Sequence, residues 1–255
     1  MKPCVFCGRP ADTAEHVLPC WLRSAVEADG QIAKNRVRTE RGLRRQWAAL
    51  AFDTAVNSVC RECNNGWMSR LEESAKPLLQ PMIVGGPQHT FDPREQELLA
   101  KWAMKTGLMV SLTVGATKIP AAHFDYLFRS QRPPDNFRIW IARCSRGQPA
   151  VFYLFQPFHF EKRTSDGQTS RSDHYVFTLR LGELVLQGYG RDRPLPRFDI
   201  EHEPSHPFVT RIWPRRDQHV EWPPRETIGS DDLLTFAGRF SPGTSPTRFD
   251  LEPAG

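Results

Sequence analysis

The pattern of apolar and polar positions changes character at Phe91, where clear helix and strand signals begin. Residues 92–112 predict a helix, because Asp92 is a typical N-cap, Pro93 suits the first helical position and Glu95 completes a capping box. The residues predicted to form its core-facing side are Leu98, Leu99, Trp102 and Thr106. This helix therefore opens the second part of the chain.

Strand patterns follow that helix. Residues 137–143 alternate between apolar and polar side chains, and residues 150–155 are almost all apolar. Residues 175–189 predict a β-hairpin that turns at Gly182–Glu183, with glycine first as a type II′ turn prefers. A further strand is predicted at 208–213. Together these elements predict a small antiparallel sheet backed by the helix.

The predicted fold class is α+β, in three parts. These are an amino-terminal zinc-stabilised module at 1–90, an α+β domain at 91–240 and a flexible tail at 241–255. Target recognition is our hypothesis for the second part. Since the chain shows no secretory signal peptide and no apolar run long enough to cross a bilayer, we expect a cytoplasmic protein with no membrane partner.

Two Cys-x-x-Cys pairs lie in the first part. They are Cys4 with Cys7 and Cys60 with Cys63. Thiolates suit tetrahedral zinc, and a two-residue gap lets the backbone amides of a tight turn point at both sulfurs. Gly8 suits such a turn. The four cysteines therefore predict one structural Zn²⁺ with an insertion between the pairs, against the alternatives of two disulfides or inert thiols.

Positive charge is concentrated between those pairs. The formal net charge is +5, and residues 34–45 hold six basic residues against one acidic residue. Such a run is often only a solvated face, but beside a zinc module contact with nucleic-acid phosphates is an equal alternative. The candidate contact residues are Lys34, Arg36, Arg38, Arg41, Arg44 and Arg45.

Glu15 and His16 lie inside the loop that zinc would close. Taken alone, a histidine beside Val17 and Leu18 is most simply a half-buried structural side chain. An imidazole can nevertheless take a proton from water near neutral pH, and a carboxylate can hold a divalent ion that stabilises a leaving oxygen. Because neighbours on a regular strand face opposite sides, both can aim at one phosphate only with a bulge or strand end at Glu15.

The order of these pieces resembles the HNH endonuclease family. The matching segments are "CVFC", "EHVLP", "AVNSVC" and "CRECNN", and the resemblance covers roughly residues 1–80. It implies a ββα-metal fold, in which a hairpin carries an acid and a base and a helix carries the last metal ligand. It also implies a metal-dependent DNA endonuclease or nickase, in mobile-element biology or in defence against foreign DNA.

Carried over position by position, the resemblance implies roles for four residues. His16 matches the general base, and Asn57 matches the middle asparagine that steadies the site. Glu15 takes the acidic metal-binding position, which is more often Asp, and Asn64 takes the last ligand position, filled by His or Asn. The implied catalytic cofactor is Mg²⁺ or Mn²⁺ and the implied partner is nucleic acid, expected to be DNA, while a protein partner or oligomer stays open.

Other interpretations of the same residues also stay open. One is a non-catalytic, zinc-stabilised module that binds nucleic acid. Another is that Asn64 and Asn65 are N-caps of the helix that follows them, alone or together with a metal-binding role of Asn64. The charged side chains that we expect to face solvent are Glu62, Glu72, Lys101 and Lys105.

Overall fold

The computed structural model of the protein describes residues 2–26, 32–39, 42–50, 52–113, 119–147, 150–163, 169–192, 207–215 and 218–238, with the backbone alone at 32–39, 42–50, 160–163 and 169–170. The helices are α1 (Leu22–Ala25), α2 (Ser69–Val84), α3 (Pro93–Leu112), α4 (Ala121–Ser130) and α5 (Leu233–Ala237), and a π-helical segment, Cys63–Met68, leads into α2. The strands are β1 (Thr13–His16), β2 (Ile32–Thr39), β3 (Gly42–Leu50), β4 (Ala55–Val59), β5 (His89–Phe91), β6 (Arg138–Cys144), β7 (Val151–Arg163), β8 (Thr169–Leu181), β9 (Leu184–Arg191), β10 (Val209–Trp213), β11 (Val220–Trp222) and β12 (Thr227–Ile228). The predicted α+β class is confirmed, and the expected tail at 241–255 lies outside the described residues.

The largest sheet has eight strands, in the order β10-β6-β9-β8-β7-β2-β3 with β12 beside β6. It contains all the strands predicted after the first helix. Most neighbours are antiparallel, but β2 runs parallel to β7 and β12 runs parallel to β6. The sheet is therefore larger than the small one predicted, because β2 and β3 extend it from the amino-terminal part of the chain. The division near residue 90 stays a prediction.

Both faces of the sheet are buried at β6. On β6, Ile139 and Ile141 belong to a core shared with α2 and α3, whereas Trp140 and Ala142 belong to a second core shared with α5. A strand that is covered on both sides needs apolar residues at successive positions. This explains why the predicted strand at 150–155 is an apolar run instead of an alternating one.

The start of α3 and the turn between β8 and β9 are as predicted. Asp92 Oδ1 accepts hydrogen bonds from the backbone N–H groups of Arg94 and Glu95 at 2.7 and 2.8 Å, and Glu95 Oε2 accepts one from the N–H of Asp92 at 3.0 Å. At the hairpin, Gly182 has a left-handed φ of 57°. Helix α3 is buried on more sides than the single face predicted, since every residue of 102–111 is buried.

Gly107 allows α3 to approach the sheet closely. A Cβ atom at Gly107 would lie 2.4 Å from the ring of Phe177 on β8, and one at Gly188 on β9 would lie 2.2 Å from the same ring. The phenylalanine ring therefore occupies the space that two absent side chains would fill.

Replacing Gly107 by alanine should destabilise the protein. Although alanine favours helix by about 1 kcal/mol, overpacking a core typically costs about 1–3 kcal/mol, and here the Phe177 ring, which also fills the space at Gly188, would have to move. Urea unfolding of Gly107→Ala measures the net loss. Adding Phe177→Leu should recover part of it, and a double variant whose losses simply add would contradict the steric explanation.

Candidate functional site

Four cysteines come together in the amino-terminal part. The Sγ atoms of Cys4, Cys7, Cys60 and Cys63 all lie within 4.8 Å of one another, and all four thiols are free. Tetrahedral zinc, with Zn–S bonds of about 2.3 Å, places its sulfurs roughly 4 Å apart. The cluster can therefore bind a metal ion such as zinc, and the alternative of two disulfides is wrong.

The two cysteine pairs sit in tight turns. The N–H of Gly8, which has a left-handed φ of 76°, donates to the carbonyl oxygen of Cys4 at 2.9 Å. In the second pair the N–H of Cys63 points at Sγ of Cys60, 3.5 Å away. A glycine is favoured after the first pair because residues with a Cβ rarely adopt that backbone conformation. The predicted role of Gly8 in the turn is confirmed.

Without a cation, burial opposes the charged form of these thiols. Burial raises the pKa of both Cys63 and Cys7. At Cys4 burial acts in the same direction, but hydrogen bonds from backbone N–H groups, including those of Cys7 and Cys60, outweigh it and hold the pKa below its usual value. A zinc ion would supply the positive charge that four neighbouring thiolates need.

Three of the four candidate catalytic residues, Glu15, His16 and Asn57, lie on a separate two-stranded antiparallel sheet formed by β1 and β4, and the fourth, Asn64, lies on the π-helical segment. Along the chain these strands are separated by α1, β2 and β3, and they are followed by the π-helical segment and α2. The pairing shifts by one residue between Thr13, which lies opposite Val59, and Glu15, which lies opposite Val56. The order of strand, strand and helix is the one that the resemblance implies, with a long insertion between the strands.

Glu15 and His16 face different sides of this pair of strands. The shift in register precedes Glu15, so the two residues still alternate: the Glu15 side chain is 12% exposed, whereas His16 at the end of β1 is exposed. Asn57 on β4 is exposed as well. No hydrogen bond or ion pair among the described residues joins His16 to Asn64. The opposite orientation that a regular strand predicts is therefore present.

A hydrogen bond joins the side chain of Asn64 to Thr13 on β1. Asn64 Nδ2 donates to Thr13 Oγ1 at 3.4 Å, and Thr13 Oγ1 donates to the carbonyl oxygen of Val59 at 3.0 Å. Because the single hydroxyl hydrogen of Thr13 is used for Val59, Thr13 can only accept from Asn64. This orients the Asn64 amide so that Oδ1 points away from Thr13.

Neither asparagine is an N-cap. The helical segment begins at Cys63, so Asn64 and Asn65 lie inside it, and no side chain caps its start. The backbone is non-helical at Gly66, and the widened π-helical turns span this stretch. Such distortions of a helix often occur at functional sites. The capping interpretation is therefore wrong for both residues.

A buried lysine reaches this site from α3. Lys105 is fully buried, its Nζ donates to Glu72 Oε1 of α2, and the same Nζ lies 3.7 Å from Glu15 Oε1. Burial raises the pKa of Glu15; the charge of Lys105 opposes that rise and the charge of Glu72 adds to it. The expectation that Lys105 and Glu72 face solvent is wrong, whereas Glu62 is exposed and pairs with Arg9 as a surface charge.

The signal that Lys105 would be buried was present in the sequence. On α3 the residues around it, at 102–104 and 106–110, carry no charge. A helix that is apolar on nearly all sides is buried, and a lysine inside such a stretch needs an ionic partner. The identity of that partner depends on how α3 packs against β1 and α2, and spacing along the chain does not reveal this.

The predicted phosphate-contacting residues fall on the inserted strands. Lys34, Arg36 and Arg38 belong to β2 and Arg44 and Arg45 to β3, where the backbone alone is described. Arg41 lies outside the described residues. In the backbone register Arg36 pairs with Gln46. Contact between these residues and phosphates stays a prediction.

Comparison with models of protein families, with curated proteins and with solved structures finds no match for this chain. Within the described ranges, none of the helices combines the length and apolar character that crossing a bilayer requires.

Proposed function

We propose that this protein is a metal-dependent endonuclease or nickase of the HNH kind that hydrolyses phosphodiester bonds in DNA. The observation that carries the proposal is the hydrogen bond between Asn64 and Thr13. It ties the candidate ligand on the helical segment to the strand that bears Glu15 and His16. Defence against foreign DNA or mobile-element biology is the proposed setting.

The donor set suits a hard divalent cation such as Mg²⁺ or Mn²⁺. Thr13 orients Asn64 with its Oδ1 turned away, so this oxygen is available to a ligand. Among the described residues, the ionic partner of Glu15 is Lys105, and the distance of 3.7 Å between Lys105 Nζ and Glu15 Oε1 is longer than a normal hydrogen bond. Both residues offer oxygen ligands, which these cations prefer. When bound, such an ion would stabilise the charge that develops on the leaving oxygen.

His16 is proposed as the general base, acting from the last position of β1 on the side opposite to Glu15, so the phosphodiester would have to lie across the end of this strand to meet both side chains. The exposed position of His16 at the end of β1 supports this role, since the attacking water and the phosphodiester must both reach the imidazole. Asn57 on the neighbouring strand is proposed to hold the end of β1 in place. The four cysteines, with zinc bound, are proposed to fix the start of the helical segment, because Asn64 directly follows Cys63.

One observation favours a second candidate function. The ammonium group of Lys105 already lies beside Glu15. If that ion pair excludes a divalent cation, the module would bind nucleic acid through its basic strands without cutting it. The net charge of +5 is compatible with either function.

Metal-dependent cutting of plasmid DNA tests the proposal. Zinc-loaded protein should convert supercoiled plasmid to open-circle or linear form when Mg²⁺ or Mn²⁺ is added. Glu15→Gln should lower the rate by at least about 10–100-fold, the loss typical even of groups that only support a metal ligand. The matched control is Glu62→Gln, which removes the same charge at an exposed position.

The outcomes separate the two candidates. Cutting that requires the added cation and is lost only in Glu15→Gln supports the nuclease. DNA binding without cutting of duplex or single-stranded substrates, with either cation, would contradict it and favour the binding module. Equal cutting by Glu15→Gln and Glu62→Gln would mean that Glu15 is not a metal ligand of the active site.

A further inference from the structure

Lys105 contributes a buried positive charge to the candidate metal site from outside the β1–β4–α2 module. It lies on α3, its side chain is fully buried, and two carboxylates approach its Nζ. Those carboxylates come from different elements, Glu15 from β1 and Glu72 from α2. The three side chains therefore link β1 and α2, which belong to the module, to α3, which lies outside it.

The two carboxylates are not equivalent partners. Lys105 donates a hydrogen bond to Glu72, whereas Glu15 stays 3.7 Å away. Glu72 therefore holds the ammonium, and Glu15 experiences its charge at a distance that leaves the Glu15 oxygens available. Interactions at such short range and low exposure are weakly screened by salt.

We propose that Lys105 regulates cation binding at Glu15, with Glu72 holding the ammonium back from that carboxylate. This inference rests on the proposed function in one respect, the role of Glu15 as a metal ligand. An ammonium and a divalent cation compete for the same negative charge. The position of Lys105 therefore determines how tightly a cation binds, and any movement of α3 relative to the module would change that affinity.

Removing the ammonium should strengthen cation binding. In Lys105→Met, Glu15 and Glu72 would both be free to attract a cation. The Lys105 ammonium carries one positive charge and Mn²⁺ carries two. At a separation of about 6 Å their repulsion, even at the dielectric constant of water, is enough to change the affinity for Mn²⁺ about tenfold. We therefore expect Mn²⁺ to bind at least about tenfold more tightly than to the unmodified protein.

Removing the group that holds the ammonium back should have the opposite effect. In Glu72→Gln the ammonium loses its closer carboxylate and is expected to move onto Glu15. Mn²⁺ binding should then weaken by about tenfold or more. Because glutamine has the same shape as glutamate and Glu72 is only partly buried, this variant tests the proposal even where Lys105→Met does not fold.

Direct titration with Mn²⁺ tests both expectations without any cutting assay. Electron paramagnetic resonance counts free Mn²⁺ in solutions of zinc-loaded full-length protein, so that the cysteines are already occupied. The matched controls are Lys101→Met, one turn earlier on the same helix, and Glu73→Gln, the exposed neighbour of Glu72. Both controls should bind Mn²⁺ as the unmodified protein does.

Each result has a distinct meaning. Opposite shifts in Lys105→Met and Glu72→Gln, with unchanged controls, support the proposal. Weaker binding in both variants would mean that the three residues only hold Glu15 in place, and would overturn it while leaving the nuclease proposal intact. Absence of Mn²⁺ binding in all five proteins would overturn the metal site itself, and with it both proposals.

Discussion

Removal of zinc is expected to unfold the amino-terminal module of this protein. The four sulfurs of the cluster join the first residues of the chain to the start of the π-helical segment, and three of the four cysteines are buried. Structural zinc sites couple metal binding to folding with a free energy on the order of 10 kcal/mol. Loss of the ion should release both cysteine pairs, although Phe6, which is buried against Trp67 and Phe124, still anchors this stretch by apolar contact.

Zinc content and thermal stability measure this effect together. Purified protein should contain one zinc ion per chain, and a strong chelator should lower the melting temperature and expose the thiols to alkylation. Cys63→Ser should do the same without chelator. Cys20→Ser is the matched control, because Cys20 is exposed and lies outside the cluster. Full stability in chelator, with no zinc in the purified protein, would contradict the structural role.

Replacing His16 by alanine should abolish most DNA cutting while leaving the fold intact. Loss of a general base typically lowers a rate by ~10² to 10⁴, because the attacking water must then lose its proton to solvent. The exposed position of His16 means that the substitution creates no cavity and leaves no buried group unpaired. Stability should therefore change little while the rate falls.

Replacement of a second exposed histidine distinguishes loss of the general base from the effect of removing any surface imidazole. His219 is also exposed but lies outside the module, so His219→Ala should cut plasmid at the original rate. DNA affinity, measured by fluorescence anisotropy in the presence of Ca²⁺, should be nearly the same for both variants. If His16→Ala cuts as fast as His219→Ala, His16 is not the base.

The features that the sequence predicted correctly depend on short stretches of chain. The capping box of Asp92 and Glu95 spans four residues, and the turn at Gly182 is defined by a backbone conformation that glycine favours. The cysteine cluster spans a long separation, but the chemistry of thiolates makes each pair recognisable. In each case the residue type itself carries the information.

The features that were missed depend on packing between distant elements. Lys105 looked like a solvated charge because its partners, Glu15 and Glu72, lie on two other elements. The pairing of β2 with β7 was also missed, since it is parallel and joins Asn35 to Tyr153, which are far apart in the sequence. Spacing and periodicity describe one segment at a time, so they do not reveal which segments meet.

The parallel pairing of β2 with β7 also has a consequence for the timing of biosynthesis. Both strands of the β1–β4 pair leave the ribosome early, but the insertion between them completes its contacts only after β7 has been made. Lys105, which pairs with Glu15, also follows the module in the chain. Nascent chains that stop short of β7 would thus contain the candidate site residues and Lys105, but β2 and β3 would still lack the strand that joins them to the large sheet.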